Sequence, residues 1–203
     1  MKKLIMFGFI VFALITTNAF ANELAIGSKA PDFSLPDSKG AKQSLSEYKG
    51  KFVVLEWTNP DCPFVMKHYV KSHNMQDLQK EYTGKGVVWL SINSSAPGKQ
   101  GNYPPAELNK ILETRGASPT ALLLDPDGAV GKLYGAKTTP HMFVINPEGS
   151  LIYEGAIDDK ATPDVEDILS AKNYVKAALD EAMAGKPVTN ASSQSYGCSV
   201  KYK

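Results

Sequence analysis

The stretch Lys51-Phe-Val-Val-Leu-Glu-Trp-Thr-Asn-Pro-Asp-Cys-Pro-Phe-Val65 decides the fold predicted for this chain of 203 residues. Its first part, residues 52–57, is nearly continuous in apolar side chains, which is typical of a central strand buried on both faces. An Asn-Pro-Asp sequence then ends the strand. Pro63 is suited to begin a helix, because a proline at the first helical position loses no intrahelical hydrogen bond. The stretch therefore predicts a strand, a short loop and a helix with Cys62 at its start.

Cys62 is the candidate reactive residue. A sulfur at a helix start lies near unpaired backbone N–H groups and the positive end of the helix dipole, and this field favours the thiolate. The thiolate is the nucleophilic form of cysteine. The neighbouring Asp61 acts in the opposite direction, because a nearby carboxylate disfavours a second negative charge. We predict that Cys62 is a nucleophile, with a structural or inert thiol as the alternative.

Residues 1–21 have the pattern of a signal peptide: two lysines, an apolar run over residues 4–15 and an Ala-Phe-Ala cleavage site. The apolar run is shorter than the roughly 20 residues of a membrane span. We expect cleavage before Asn22, a periplasmic or secreted protein, and no stable membrane insertion afterwards. A retained N-terminal anchor is the alternative.

The mature chain suits one domain, predicted at residues 22–184, followed by a flexible tail over residues 185–203. Lysine and arginine total 22 and aspartate and glutamate total 21. This balance gives no electrostatic basis for binding nucleic acid. The polar tail carries Cys198 close to its end.

The chain has two cysteines, Cys62 and Cys198. In an exported protein such a pair favours a disulfide over two free thiols. Closing a loop of this length would stabilise the folded state by about 5 kcal/mol on the chain-entropy model. A structural bridge and a catalytic pair, in which a mobile tail brings Cys198 to Cys62 as the resolving thiol, both remain open.

Hydrophobic patterns and turn signals predict the other elements. Strands are expected at residues 30–35, 52–57, 87–92, 120–124, 141–145 and 150–155; helices are expected at 63–82, 104–114, 129–134 and 164–183, with one helical turn at 44–48. The turn at residues 146–149 gives the clearest hairpin signal. This order predicts an α/β fold, a central mixed β-sheet flanked by helices.

Several motifs taken in order resemble the redoxin group, which comprises the thioredoxin-like oxidoreductases and the peroxiredoxins of the alkyl hydroperoxide reductase/thiol-specific antioxidant type. They are Gly27-x-x-Ala30-Pro31-Asp32-Phe33-x-Leu35, Leu45-x-x-Tyr48-x-Gly50-Lys51, the strand into Trp57, Cys62-Pro63 and Thr139-Pro140. The resemblance covers residues 27–158. It is closest to a peroxiredoxin-like subgroup with a single cysteine at the helix start.

The resemblance implies a thioredoxin-like fold with an N-terminal extension and a thiol-dependent oxidoreductase without cofactor or metal. Its substrates would be protein thiols and disulfides or peroxides, and an external thiol would reduce it. It makes Cys62 the nucleophile. Cys198 is the expected resolving residue if the tail brings its thiol to the helix start, and a structural or intermolecular bridge is the alternative. The residues expected to shape the site are Trp57, Thr58, Asn59, Pro60, Pro63, Thr139 and Pro140. Pro140 is expected in the cis form with the Thr139 backbone offered to substrate, and Trp57 mainly in the core.

The chain departs from both patterns of the group. The thioredoxin Cys-x-x-Cys motif has Val65 in place of its second cysteine. In the peroxiredoxin Pro-x-x-x-Thr-x-x-Cys loop, Leu55 stands for the proline and Asn59 for the threonine. Arg115 is the chain's one arginine and lies at a predicted helix end, so the family's catalytic arginine has no clear counterpart.

The sequence leaves two further functions open. One is a non-catalytic module of the same fold whose cysteines form a structural disulfide. The other is a copper chaperone, because Cys62 and Met66 are one helical turn apart, His141 follows Pro140, and such soft ligands suit Cu(I). The three histidines have no metal-ligand spacing with one another.

Overall fold

A mixed β-sheet forms the centre of the computed structural model, which describes residues 24–203. The strands are β1 (Ser34–Pro36), β2 (Lys42–Ser44), β3 (Val53–Trp57), β4 (Val88–Asn93), β5 (Ala121–Leu124), β6 (Thr138–Thr139), β7 (His141–Ile145), β8 (Leu151–Gly155) and β9 (Cys198–Ser199). Five of them form the central sheet in the order β5-β4-β3-β7-β8. β3, β4 and β5 are parallel, whereas β7 is antiparallel to both of its neighbours.

Helices cover both faces of this sheet. They are α1 (Pro63–Tyr69), α2 (Asn74–Gly84), α3 (Pro105–Thr114), α4 (Ala129–Leu133) and α5 (Tyr174–Met183), with 3₁₀ turns at Leu45–Tyr48 and Val165–Leu169. Leu55 and Trp57 of β3 belong to an apolar cluster with β1 and α4, and Val54 belongs to a second cluster with α1, α2 and α5. β3 is thus buried on both faces, as its composition predicts.

The predicted α/β class is confirmed, and so is the hairpin, formed by β7 and β8 at one edge of the sheet. The strand expected at residues 30–35 lies slightly later, as β1, and pairs with the unpredicted β2. The signal peptide predicted at residues 1–21 lies outside the described residues. Among residues 24–203, no helix is both long and apolar enough to cross a bilayer.

The long helix predicted over residues 63–82 is wrong, because the chain forms two helices there, α1 and α2. Ser72 lies in the break and its hydroxyl donates a hydrogen bond to the Lys67 carbonyl at 2.8 Å. Such side-chain bonds to backbone carbonyls compete with helix continuation. The break is local, and the apolar stripe continues from one helix to the other.

The helix predicted over residues 164–183 is also too long. A 3₁₀ turn occupies its first part and α5 begins only at Tyr174. Asn173 caps α5, since its side-chain oxygen accepts a hydrogen bond from the Lys176 N–H at 2.9 Å. An asparagine at this position satisfies a backbone donor that has no intrahelical partner, which fixes the helix start.

The C-terminal segment differs from the flexible tail that composition predicts. Its strand β9 pairs with β6, the Ala96 N–H donates to the Lys201 carbonyl at 2.8 Å, and Val200 packs against the apolar cluster around Trp57. The physical reason is that its aromatic and apolar side chains pack against the domain. The polar composition of the segment does not predict this packing. The segment therefore forms part of the folded domain.

Candidate active site

Cys62 lies at the start of α1, as predicted. It is the N-cap residue, Pro63 follows at the first helical position, and the Cys62 N–H donates to the Asn59 carbonyl at 3.1 Å. Its side chain is completely buried, with 0% relative exposure. Pro63, by contrast, is exposed. The sulfur therefore lies beneath the protein surface.

The loop before Cys62 is braced from two directions. Asn59 Oδ1 accepts a hydrogen bond from the Asp61 N–H at 2.9 Å, and Asn59 Nδ2 donates to the Gln100 carbonyl at 3.1 Å. The Arg115 guanidinium donates to the Pro60 carbonyl at 2.9 Å. Asn59 and Arg115 thus hold the loop in place through its backbone, and no sequence pattern predicts the contact of Arg115. Its contact is with the loop backbone.

The polar loop over residues 93–105 packs directly on the Asn59 side chain. Gly101 has φ +81°, and a Cβ at this position would lie 2.2 Å from Asn59 Oδ1. Glycine is the one residue that combines this φ with so close an approach. Tyr103 of the same loop donates to Asp61 Oδ2 at 2.9 Å. The loop therefore forms one wall of the cysteine site.

Thr139 and Pro140 also border the cysteine site. The Thr139–Pro140 peptide bond is cis, which confirms the prediction. The Cys62 thiol donates a hydrogen bond to the Thr139 carbonyl, with an Sγ–O distance of 3.0 Å. The dipeptide therefore contacts the reactive sulfur through its backbone.

Cys198 is brought to the same point by the pairing of β9 with β6, in which Thr139 stands opposite Cys198. Burial, together with a hydrogen bond to the adjacent Cys62 side chain, raises the pKa of the Cys198 thiol to about 11. Both cysteines are free thiols in this structure. The two cysteines therefore both lie against Thr139 although 135 residues, 63 to 197, separate them in the chain.

Two tyrosines hold the segment that carries Cys198. Tyr196 packs edge-on against Phe64 of α1, with ring centroids 5.8 Å apart, and its hydroxyl donates to Asp158. Tyr202 lies across α4, and its hydroxyl donates to the Ala136 carbonyl at 2.8 Å. These anchors lie on either side of Cys198, so they fix the position of the second thiol.

Trp57 is the last residue of β3, and Thr58 follows it. The Trp57 ring lies in the cluster on the other face of the sheet, and its Nε1–H donates to Ser94 Oγ at 3.0 Å. The expectation that Trp57 is mainly a core residue is confirmed. Thr58 is largely buried near Pro60 and Arg115, at the loop's base.

A buried carboxyl group lies beneath α1, and no sequence pattern predicts it. Glu56 is fully buried in β3 and accepts hydrogen bonds from Tyr69 Oη at 2.8 Å and from Trp89 Nε1 at 2.8 Å. Ser91 and Gln79 donate to it as well. Burial raises the pKa of Glu56, and these hydrogen bonds oppose that shift. Glu56 therefore ionises less readily in the folded protein than in the unfolded chain.

Glu56 should make the stability of the protein fall with rising pH. The pKa of Glu56 is raised above its ordinary value of 4.5, so the free energy of unfolding decreases above that pH until the folded protein also ionises. Within this window the loss is about 1.4 kcal/mol per pH unit. Glu56→Gln resembles the protonated acid and should remove this slope. Urea titrations of both proteins between pH 4 and 8 measure it, and parallel pH profiles would contradict the prediction.

A second buried polar cluster connects α1 to the C-terminal segment. Lys67 is completely buried, its Nζ lies 2.9 Å from the Lys160 carbonyl that it donates to, and the same Nζ is 3.9 Å from Asp158 Oδ2. His68 Nε2 lies 3.9 Å from the same carboxylate oxygen. Burial lowers the pKa of His68 to about 3, so its ring is neutral near pH 7.

The copper hypothesis requires Cys62, Met66 and His141 to meet at one metal position. The contacts described for residues 24–203 do not join these three side chains. His141 Nδ1 accepts a hydrogen bond from the Lys137 N–H at 3.2 Å, and the Cys62 sulfur contacts Thr139 and Cys198. Within residues 24–203, no group of three or more histidine, cysteine, aspartate or glutamate side chains could hold a metal ion. The Cys62 sulfur therefore lies beside a backbone carbonyl and a second thiol.

Comparison with known proteins identifies the family. The model of the AhpC/TSA family matches residues 26–154. The chain belongs to the AhpC/TSA family. The thiol-disulfide oxidoreductase ResA of Geobacillus kaustophilus is 31% identical to it over 143 residues, which cover 68% of this chain and 74% of that protein. The prediction of a redoxin-type enzyme, of the thiol-disulfide oxidoreductase or peroxiredoxin-like class, is confirmed.

Solved structures support the same fold. A hypothetical protein from Sinorhizobium meliloti is similar over 90% of this chain and 97% of its own, with a TM-score of 0.77 and 27% identity. The exposed lipoprotein thioredoxin Etrx1 of Streptococcus pneumoniae is similar over 69% of this chain and 96% of its own, with a TM-score of 0.50 and 25% identity. The thioredoxin-like fold is thereby confirmed.

Proposed function

We propose that this member of the AhpC/TSA family is an exported thiol-disulfide oxidoreductase whose redox centre is the pair Cys62 and Cys198. The observation that carries the proposal is that both cysteines meet at Thr139: Cys198 pairs with it in β6–β9, and the Cys62 sulfur lies 3.0 Å from its carbonyl oxygen. A remote resolving cysteine must reach the first cysteine, and here it is already beside it. No sequence spacing of the Cys-x-x-Cys type is needed for that.

The exchange proceeds in two balanced steps. The Cys62 thiolate attacks one sulfur of a substrate disulfide, forms a mixed disulfide and displaces the other substrate sulfur as a thiolate. Cys198, after giving up its proton to solvent, attacks the Cys62 sulfur and releases the second substrate thiolate. Two protein thiols thus become one Cys62–Cys198 disulfide as one substrate disulfide becomes two thiols. Two equivalents of an external thiol return the protein to its reduced form.

The raised pKa of Cys198 supports this division of roles. At neutral pH a thiol with a pKa of about 11 stays largely protonated and attacks slowly while it rests beside Cys62. Cys62 is the residue at the helix start, and after it has reacted it presents a sulfur that Cys198 attacks. Cys62 therefore acts first and Cys198 second.

A disulfide suits the site better than a peroxide. The family's peroxide loop carries a threonine where this chain has Asn59, and both ends of the Asn59 amide are hydrogen-bonded to backbone groups, those of Asp61 and Gln100. The Arg115 guanidinium donates to the Pro60 carbonyl. Peroxide reduction, in which Cys62 becomes a sulfenic acid that condenses with Cys198 and releases water, is the alternative chemistry of the same pair.

A location outside the cytosol is part of the proposal. The signal-peptide pattern at residues 1–21 supports it, and so does the similarity to a thioredoxin that is described as an exposed lipoprotein. An oxidising compartment also allows a disulfide to persist. The periplasm or the cell exterior is therefore where we expect the pair to work.

The reduction potential of the Cys62–Cys198 couple tests the proposal. It is measured by thiol trapping and mass spectrometry of the mature protein in glutathione buffers. We expect a value in the range of exchange catalysts, roughly −270 to −120 mV. A bond that resists reduction below about −300 mV would instead indicate a structural disulfide and contradict the catalytic role.

A further inference from the structure

We propose that the groove occupied by residues 197–202 recognises an extended segment of a partner protein with glycine before its cysteine and an aromatic residue four positions after it. The chain's own C-terminal segment is the resident of this groove and has to leave before a partner enters. The inference rests on the proposed function, because the partner's cysteine would be the substrate of Cys62.

The first feature of the groove is a strand edge. β9 is antiparallel to β6, and beyond the strand the Val200 N–H donates to the Lys137 carbonyl at 3.1 Å. Backbone groups along a strand edge accept any extended chain, and side-chain pockets then supply selectivity. Cys198 faces Cys62 in this register, so a partner cysteine in its place would be aligned for attack.

The second feature is a close approach that only glycine permits. Gly197 has φ +133°, and a Cβ there would lie 2.1 Å from the Thr139 carbonyl oxygen. A larger residue would push the strand away from β6 or force another register. The residue before the cysteine is therefore selected by the Thr139 carbonyl.

The third feature is an aromatic subsite built from two glycines. A Cβ at Gly128 would lie 2.4 Å from the Tyr202 ring, and a Cβ at Gly131 would lie 2.3 Å from the Tyr202 hydroxyl. Lys132 Nζ lies 5.6 Å from the centroid of the same ring. This surface fits a flat ring with a polar end, four residues after Cys198.

The resident segment also closes the site. Cys62 has no solvent exposure with the segment in place, and Cys198 is beside its sulfur. A polypeptide substrate cannot pair with β6 while β9 does so. β9 therefore leaves for the attack by Cys62 and pairs again with β6, in place of the tethered partner strand, when Cys198 attacks the Cys62 sulfur. Access to Cys62 therefore depends on release of the C-terminal segment, and the Tyr202 anchor controls how often that happens.

The test uses full-length Cys198→Ser protein and the peptide Tyr-Gly-Cys-Ser-Val-Lys-Tyr-Lys, activated at its cysteine as a mixed disulfide with thionitrobenzoate. The Cys62 thiolate attacks the peptide sulfur, and the released thionitrobenzoate anion reports the rate by absorbance. Adding Tyr202→Ala should raise this rate about tenfold or more, because the resident loses a partly buried aromatic anchor. Tyr202→Phe keeps the ring in place and should raise it far less.

Two altered peptides test recognition against the Cys198→Ser/Tyr202→Ala protein. Replacing the peptide's glycine, or the tyrosine that follows its cysteine, by alanine should slow the reaction about tenfold. With Gly131→Ala added to the protein, the unaltered peptide should react no faster than the peptide whose tyrosine after the cysteine is replaced by alanine. Gly84→Ala is its matched control, because a Cβ at this helical glycine meets nothing within 4 Å.

Each outcome decides a separate point. Equal rates for the three peptides would overturn the recognition site, and equal rates with and without Tyr202→Ala would overturn the resident role. Disulfide-linked dimers of the oxidised wild-type protein, joining Cys62 to the Cys198 of another copy, would replace the partner protein by a second copy and overturn the assignment. If Cys62 of the Tyr202→Ala protein reacts with neither peptide nor iodoacetamide, the proposed function itself fails.

Discussion

The Cys198→Ser variant is expected to stop after a single exchange. One of the two parts of the substrate disulfide then remains bound to Cys62 as a mixed disulfide, and the other has been released. The reason is that Cys198 supplies the second thiol beside the Cys62 sulfur. Cys62→Ser should lose exchange by roughly three orders of magnitude or more, because its hydroxyl is a far weaker nucleophile. Intact-protein mass spectrometry after mixing with a model disulfide detects the trapped species, and insulin reduction measures turnover.

The structural-disulfide hypothesis predicts another result for the same variant. A bridge across a loop this long would contribute about 5 kcal/mol to the oxidised protein on the chain-entropy model, and Cys198→Ser would lose that stability. Reduced wild-type and Cys198→Ser proteins serve as the matched pair, because neither has the bridge. A large loss of stability in oxidised Cys198→Ser with unchanged exchange would contradict the catalytic role.

The sequence was informative where a local pattern determines the structure. The apolar run of β3, Pro63 after Cys62 and the turn before β8 are short-range signals, and the predicted strand, helix start and hairpin are confirmed. The cis bond before Pro140 was expected from the family resemblance and is also confirmed. Much of the α/β architecture followed from such signals.

The remainder depends on contacts between distant residues. β6 and β9 are two residues each, too short for a periodic pattern, and they pair across about 60 residues of chain. Glu56 sits in an apolar strand, and its partners come from α1, α2 and β4. No local rule predicts that a Gly-Cys near the end of a polar segment returns to the first cysteine.

Asp158→Ala is expected to cost 3–5 kcal/mol of stability, roughly the penalty for leaving a buried charge without its partner. Asp158 is 2% exposed, and its Oδ2 lies 3.9 Å from Nζ of the completely buried Lys67. Its other oxygen accepts the Tyr196 hydroxyl and, at 2.9 Å, the Lys160 N–H. Urea unfolding of the reduced proteins gives the measurement, with Tyr196→Phe as a control that should lose only about 1 kcal/mol.

A second substitution separates charge from packing. If the cost of Asp158→Ala comes from the stranded Lys67 ammonium, adding Lys67→Met should recover much of it, because a flexible apolar side chain of similar length needs no carboxylate. A double variant no more stable than Asp158→Ala alone would assign the loss to packing instead. Lys67 lies on the helix that follows Cys62, and Tyr196 lies two residues before Cys198. Asp158 contacts both of these residues and so links the two segments that carry the thiols. Its removal should therefore loosen the site as well as the fold.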